Sequence, residues 1–188
     1  MKLPVAVQDL ISLGATIFEN ASRNDNYRYV SCDINCASLP DPFWKKGESL
    51  PDEIHNILVR FPENGLPTLY YFEIICDVDK RNILRAYKEM KEDAHIERAS
   101  AALKKNPPMD TNVLYVGKVK NNIQGRLKVH LGYYHNGATS GLQLVCWAKE
   151  IGLELRLHAF QFDEEMAPFI GSLELPFSKA LNPMIGKQ

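Results

Sequence analysis

The spacing of apolar residues predicts helices in the first third of the chain. Residues 6–21 carry apolar side chains at intervals of three and four positions, which is typical of an amphipathic α-helix. A second helix is predicted from segment 49–53 to about Val59, because Pro51 and two acids suit a first turn. Between these helices, residues 22–50 are rich in Asn, Asp, Ser and Pro and are expected to be irregular.

Three later segments have the composition of β-strands. Residues 68–76 are mostly β-branched and aromatic, and residues 113–116 form a short apolar run that stops at Gly117. Residues 153–162 alternate between apolar and polar side chains, as expected for a strand with one buried face.

Helical segments separate the predicted strands. Residues 79–105 are rich in Ala, Leu, Lys, Glu and Arg and contain neither Gly nor Pro, which predicts one long helix or two joined helices. Further helices are predicted at 120–131, 139–151 and 172–181, with Gly152 suited to the end of the second.

The alternation of strands and helices predicts an α/β (α+β) fold with a small three-stranded antiparallel sheet flanked by helices. A chain of 188 residues fits one domain, or one domain with an appendage. We expect a mostly helical N-terminal extension over residues 1–64 and a domain over residues 65–188. A helical insertion at about 79–106 would separate the first two strands of that domain.

Composition points to an ordinary globular chain, with 45% hydrophobic and 24% charged residues. No apolar run approaches the ~20 residues that span a bilayer, and the first apolar segment is a poor secretory signal. We therefore expect a cytoplasmic protein without a membrane partner. The cysteines lack the paired spacings of a zinc site, so reduced thiols packed as small hydrophobic side chains are expected.

The distribution of charge is more informative than the net charge of −1. From residue 111 to residue 148 the chain has no Asp or Glu, yet it contains Lys118, Lys120, Arg126 and Lys128. Such a segment predicts a cationic face that binds nucleic acid through the three lysines. The alternative is a solvated helix surface with no ligand.

Arg126 and His130 lie four residues apart, so they share one face of the predicted helix. A guanidinium suits a phosphate group, and an imidazole suits proton transfer near neutral pH. The strand edge before this helix carries Tyr115. Together these residue types indicate a place where a phosphodiester could be cleaved.

This stretch resembles the GIY-YIG nucleases, and their restriction-type members most closely. The second name-giving tripeptide would be residues 115–117, followed by Lys118 and then by Arg126 and His130 on the first helix. The first tripeptide would be residues 68–70, which keeps the tyrosine but lacks the glycine. The neighbouring Tyr71 leaves the identity of the first tyrosine open between Tyr70 and Tyr71.

A late carboxylate completes the resemblance. The family places one metal-binding glutamate on a C-terminal helix, and Glu174, followed by Asn182 and Pro183, is similar to that element. The resemblance implies that Glu174 binds one Mg²⁺ or Mn²⁺ ion. An ordinary glutamate in the first turn of a helix is the alternative.

The resemblance implies a divalent-metal-dependent DNA endonuclease. Tyr70 is expected to act as general base with His130 accepting or relaying its proton, while Arg126 grips the phosphate. Tyr115 would hydrogen-bond the water or the phosphate, or pack in the core.

Two other functions stay open from the sequence. One is a catalytically inactive module of the same fold that binds nucleic acid or protein, and the other is an interaction protein. The helical insertion would then serve as a DNA-contacting arm, a homodimer contact or a cover over the sheet edge.

Overall fold

The fold was analysed in a computed structural model that describes residues 5–23, 27–41, 50–61, 65–96, 98–133 and 139–187. The described residues form an α+β fold with five α-helices and four strands. The helices are α1 (Val5–Ser22), α2 (Asp52–Leu58), α3 (Lys80–Glu92), α4 (Ile123–Leu131) and α5 (Ile170–Leu181). The strands are β1 (Tyr27–Asn35), β2 (Thr68–Ile74), β3 (Val113–Val119) and β4 (Glu154–Phe162).

The strands form one antiparallel sheet in the order β1-β4-β2-β3, so the predicted three-stranded sheet is wrong. The additional strand, β1, lies within residues 22–50, which were expected to be irregular. It pairs with β4 along nine residues, from Tyr27 opposite Phe162 to Asn35 opposite Glu154. Only one face of β1 is buried, at Cys32 and Ile34, and its polar residues face outward. The prediction followed the Asn, Asp, Ser and Pro content of the whole segment and overlooked the alternation of apolar and polar side chains over residues 30–35.

The predicted position and length of the helical insertion are also wrong. Because β1 is the first strand, α3 lies between the second and third strands of the sheet and not between the first two. The helix ends at Glu92, although residues 93–105 contain no Gly or Pro.

Backbone pairing with distant residues replaces the predicted end of that helix. The N–H of Ala101 donates to the carbonyl of Gly141 at 2.9 Å, and the N–H of Gly186 donates to the carbonyl of Ala102 at 2.9 Å. These tertiary hydrogen bonds override the local helical propensity, which is worth only a few tenths of a kcal/mol per residue.

The predicted helix over residues 139–151 is wrong as well. Within it the structure has a short 3₁₀ turn at Leu144–Cys146 followed by turns. Gln143 adopts a left-handed conformation with φ of 54°, which interrupts a helix at that point. The indole of Trp147 donates to the carbonyl of Leu142 at 2.8 Å and holds this irregular segment in place.

The other predicted elements are confirmed with small shifts of their ends. They are α1, α2, β2, β3, α4, β4 and α5. Residue 49 and the predicted domain boundary at residue 64 lie outside the described residues. β1 belongs to the sequence predicted as an N-terminal extension, and it supplies an edge strand of the sheet.

The core lies on the face of the sheet that α3 and α4 cover. Tyr70 and Phe72 of β2 are buried there with Leu155 and Leu157 of β4, all at 0% exposure. Two cysteines, Cys32 and Cys36, are buried in the same core as free thiols. Among the described helices, none is long and apolar enough to cross a bilayer.

A backbone segment near the C-terminus continues the sheet beyond β3. The N–H groups of Met184 and Ile185 donate to the carbonyls of Val113 and Leu114, each at 2.9 Å. Ile185 also bridges to Leu103, so residues 184–186 lie between β3 and the segment that follows α3. This arrangement brings the two segments to one side of the sheet, next to the cavity described below.

We predict that Leu157→Ala lowers the free energy of unfolding by about 2–5 kcal/mol, because it opens a cavity in the central strand β4. Leu175→Ala is the matched control, since Leu175 is 48% exposed and its loss should change stability by less than about 0.5 kcal/mol. Urea unfolding followed by circular dichroism measures both. Equal effects of the two substitutions would contradict the assigned core.

Candidate active site

The phenol ring of Tyr70 crosses directly over Gly117 on the neighbouring strand. The two residues are paired in register, and a Cβ atom on Gly117 would lie 2.5 Å from the Tyr70 Oη and 2.6 Å from its Cζ. Gly117 does not have a positive φ, so its role is to leave room for the ring. The glycine of the 115–117 tripeptide therefore positions Tyr70.

Helix α4 presents Arg126 and His130 to this ring. The side chain of Asn122 caps the helix by accepting from the N–H of Gly125 at 2.7 Å, and Gly132 ends it with φ of 98°. The predicted shared face is confirmed, because both side chains reach the same hydroxyl. Arg126 Nε lies 2.9 Å from Tyr70 Oη, and His130 Nε2 lies 2.9 Å from the same oxygen.

The backbone fixes the protonation of His130. The N–H of Leu142 donates to His130 Nδ1 at 3.2 Å, so Nδ1 is an acceptor and the neutral ring carries its proton on Nε2. Burial, and secondly the charge of Arg126, lowers the pKa of His130 well below its usual range. His130 is therefore a neutral donor to Tyr70, and this geometry does not favour the expected transfer of a proton from Tyr70 to His130.

The oxygen of Tyr70 thus accepts two N–H groups, one from His130 and one from Arg126. Two donors would suit a phenolate. Burial nevertheless raises the pKa of Tyr70, because its effect is larger than the opposing effect of the Arg126 charge. Tyr70 and His130 are both 0% exposed. His130 is therefore linked to Arg126 through the Tyr70 oxygen, which accepts from both side chains.

The guanidinium of Arg126 is held on three sides. Besides Tyr70, its Nη2 donates to the hydroxyl of Tyr115 at 3.1 Å, and its Nη1 donates to the carbonyl of Ser140 at 2.7 Å. These bonds use three of the five N–H groups of an arginine. One N–H group on each terminal nitrogen has no acceptor among the described residues, and two such groups of an arginine can bind two oxygens of a phosphate.

A cavity of about 520 Å³ opens in front of Arg126. Its walls come from seven separate stretches of the chain that the topology brings together. The lining residues are Lys91, Ser100, Ala101, Ala102, Tyr115, Val116, Arg126, Thr139, Ser140, Glu174, Gly186 and Lys187. Tyr115, Arg126 and Glu174, three of the five predicted catalytic residues, thus share one cavity.

Glu174 stands on α5 at this cavity and is partly buried. Its negative charge contributes to the raised pKa of Tyr115, for which burial is the main cause. Glu174 has no described ion pair. Among the described residues no group of three or more His, Cys, Asp or Glu side chains could hold a metal. A metal ion here would have one protein carboxylate as ligand and would keep its water ligands.

The three predicted nucleic-acid-binding lysines lie at different places. Lys128 lines a second cavity of about 520 Å³ that Arg126 also borders. Lys118 extends toward α5, where its Nζ would lie 3.4 Å from a Cβ atom on Gly171. Lys120 is exposed just after β3. Of the three lysines, Lys128 shares a cavity with Arg126, whereas Lys118 lies beside α5.

The sequence patterns did not predict those cavity residues that lie outside residues 115–117, outside α4 and outside α5. Lys91, Ser140 and Lys187 reach the cavity only through the tertiary folding of segments without a motif. The acceptor role of the Ser140 carbonyl has no side-chain signature at all. Lys91 was one cation among many on a charged helix, so its sequence context gave no signal.

Comparison of the chain with protein-family models, with curated proteins and with solved structures finds no match. The resemblance to the GIY-YIG nucleases therefore stays a prediction. It depends on the residues around Tyr70 and Gly117 and on Arg126, His130 and Glu174.

We predict that Gly117→Ala destabilises the protein by about 1–3 kcal/mol, because the new methyl group collides with the Tyr70 ring. The matched control is Gly14→Ala in α1, where a Cβ atom would meet Phe169 at an ordinary 3.4 Å. That control should be neutral or stabilising by up to about 1 kcal/mol, as alanine favours a helix interior. Chemical unfolding distinguishes the two, and a neutral Gly117→Ala would exclude the close packing of Tyr70.

A second prediction concerns acid stability. The pKa of His130 is lower in the folded protein than the 6.5 of the unfolded chain, so protons bind the unfolded state preferentially as pH falls below about 6.5. The stabilisation that comes from burying a neutral His130 is therefore complete above about pH 6.5. It is lost at up to about 1.4 kcal/mol per pH unit below it.

Replacing the imidazole removes this dependence. We expect His130→Gln to flatten the pH dependence of the unfolding free energy between pH 6.5 and 5 relative to the wild type. His55→Gln, at an exposed site on α2, should keep the wild-type slope. Urea titrations at several pH values measure the slope of the unfolding free energy against pH. An unchanged slope in His130→Gln would exclude a buried neutral His130.

Proposed function

We propose that this protein is a divalent-metal-dependent endonuclease that hydrolyses phosphodiester bonds in DNA. The observation that carries the proposal is the environment of Arg126. Its guanidinium is immobilised by Tyr70, Tyr115 and Ser140, and two of its N–H groups are left at a cavity that Glu174 also lines. The resemblance to GIY-YIG nucleases supports the same reaction.

In this proposal Arg126 binds the scissile phosphate. A guanidinium whose position is fixed before the substrate arrives stabilises the charge that develops on the phosphate without reorganisation. Tyr70 holds the guanidinium from the buried side by accepting from its Nε, and His130 holds Tyr70 by donating to the same oxygen. They are positioning residues, since neither is exposed.

Tyr115 is the tyrosine that meets the substrate in this proposal. It lines the cavity, whereas Tyr70 does not. Because its oxygen accepts from Arg126 Nη2, its own hydroxyl hydrogen is available to an incoming water or phosphate oxygen. Burial raises the pKa of Tyr115 and Arg126 opposes that rise, so the hydroxyl is neutral at pH 7. Removal of its proton at higher pH would make Tyr115 the general base.

Glu174 is the residue that would hold the metal ion. Mg²⁺ is bound by one or two carboxylates while keeping several waters, and a single glutamate at an open cavity suits that preference. When bound, the ion supplies Lewis acidity and a water of lowered pKa. The guanidinium of Arg126 and the carboxylate of Glu174 line the same cavity, and in this proposal the phosphate binds there.

A DNA-nicking assay tests the proposal. We expect wild-type protein to nick plasmid DNA with Mg²⁺ or Mn²⁺, and Arg126→Ala and Glu174→Gln each to lower the rate by about 10²-fold or more. Glu150→Gln is the control, because Glu150 is an exposed glutamate on a turn away from the cavity. Its rate should equal that of the wild type.

Two outcomes would contradict the nuclease. DNA binding that weakens with salt but is never followed by cleavage would indicate a binding module of the same fold. Neither binding nor cleavage would indicate an interaction protein. Wild-type activity in Glu174→Gln would exclude Glu174 as the metal ligand. The role of Arg126 would then be decided by Arg126→Ala alone.

A further inference from the structure

The segment between β2 and β3 contributes a fixed cation to the cavity. Lys91 lies in the last turn of α3, and its Nζ donates to Ser100 Oγ at 2.8 Å and to the carbonyl of Ala101 at 3.0 Å. Both acceptors belong to residues 100–102, which form one wall of the cavity. An exposed lysine is normally mobile, whereas these two bonds hold the Lys91 ammonium at the wall.

The aromatic ring of Tyr87 makes a cation–π contact with the same ammonium. The ring of Tyr87 is buried one turn earlier on α3, and Lys91 Nζ lies 5.9 Å from the centre of that ring. The hydroxyl of Tyr87 donates at 2.8 Å to the carbonyl of Ala101, which also binds Lys91. The core of the protein therefore fixes the position of this surface cation.

The charge of Lys91 is not neutralised within the described residues. Lys88, one turn earlier on the same helix, forms an ion pair with Glu92 at 3.7 Å, while no described carboxylate pairs with Lys91. Among the residues that the structure describes, three cations line the cavity, namely Lys91, Arg126 and Lys187, against the single carboxylate of Glu174. A cavity with this excess of positive charge favours a ligand with more than one negative charge.

We propose that Lys91 binds a second backbone phosphate of the DNA strand whose scissile phosphate binds Arg126. An ammonium has three N–H donors, and the third one of Lys91 is left for a phosphate oxygen. The segment inserted between β2 and β3 thereby forms part of the substrate site, and it sets how the strand lies across the cavity. This inference rests on the proposed nuclease function.

The salt dependence of DNA binding tests Lys91 separately from cleavage. Fluorescence anisotropy with a labelled duplex in EDTA measures binding while the metal is absent. We expect Lys91→Gln to bind more weakly and to reduce the slope of log Kd against log salt by about 0.9, the value for one phosphate contact. Lys91→Arg should restore the wild-type slope. Lys88→Gln, the matched control on the same helix, should leave it unchanged.

A purely structural role of Lys91 would give a different result. Ser100→Ala removes one acceptor but keeps the charge, so it should lower the melting temperature slightly and leave the salt slope intact. Lys91→Met keeps the aliphatic stem over Tyr87 and removes the charge, so it should reproduce the slope of Lys91→Gln. This second variant preserves the test if the glutamine variant does not fold.

The outcomes separate the two proposals. A wild-type salt slope in folded Lys91→Gln and Lys91→Met, together with plasmid nicking that needs Arg126, would overturn the role of Lys91 and keep the nuclease. A reduced slope without nicking by the wild type would overturn the nuclease and keep the phosphate contact. Absence of both DNA binding and plasmid nicking by the wild type would overturn both.

Discussion

The site depends on one buried hydroxyl that must receive its hydrogen-bond donors from the protein. Tyr70 is excluded from solvent, and an unpaired polar atom in that position would cost on the order of 1–3 kcal/mol. Arg126 and His130 satisfy it from α4, and the ring itself requires Gly117 on β3. Sheet and helix are therefore fixed relative to each other by the same contacts that hold the guanidinium.

This constraint explains why the buried and the open halves of the site have different roles. Burial keeps both His130 and Tyr70 neutral. The interior half therefore supports the guanidinium without changing its own charge near neutral pH. The open half, with Tyr115, Arg126 and Glu174, carries the groups that can meet a phosphate. A rigid interior behind a solvent-facing guanidinium is what electrostatic stabilisation of a reacting phosphate needs.

The sequence predicted those features that follow from local spacing. The four-residue interval between Arg126 and His130 predicted their shared face, and the apolar alternation predicted β4. The alternation over residues 30–35 also indicates β1, but the polar residues around that stretch obscured it. The early end of α3 and the loop around Leu142 follow from hydrogen bonds to residues distant along the chain, which no local pattern encodes. For the same reason the sequence identified the cation of α4 but not Lys91.

The pairing of residues 184–186 with β3 has a consequence for the order in which the site is assembled. Gly186 and Lys187 form one wall of the cavity, yet they follow Arg126 by about 60 residues in the chain. At roughly 5–20 residues per second, a ribosome needs roughly 3–12 s to add them. A nascent chain therefore carries Arg126 for seconds before the cavity around it can close.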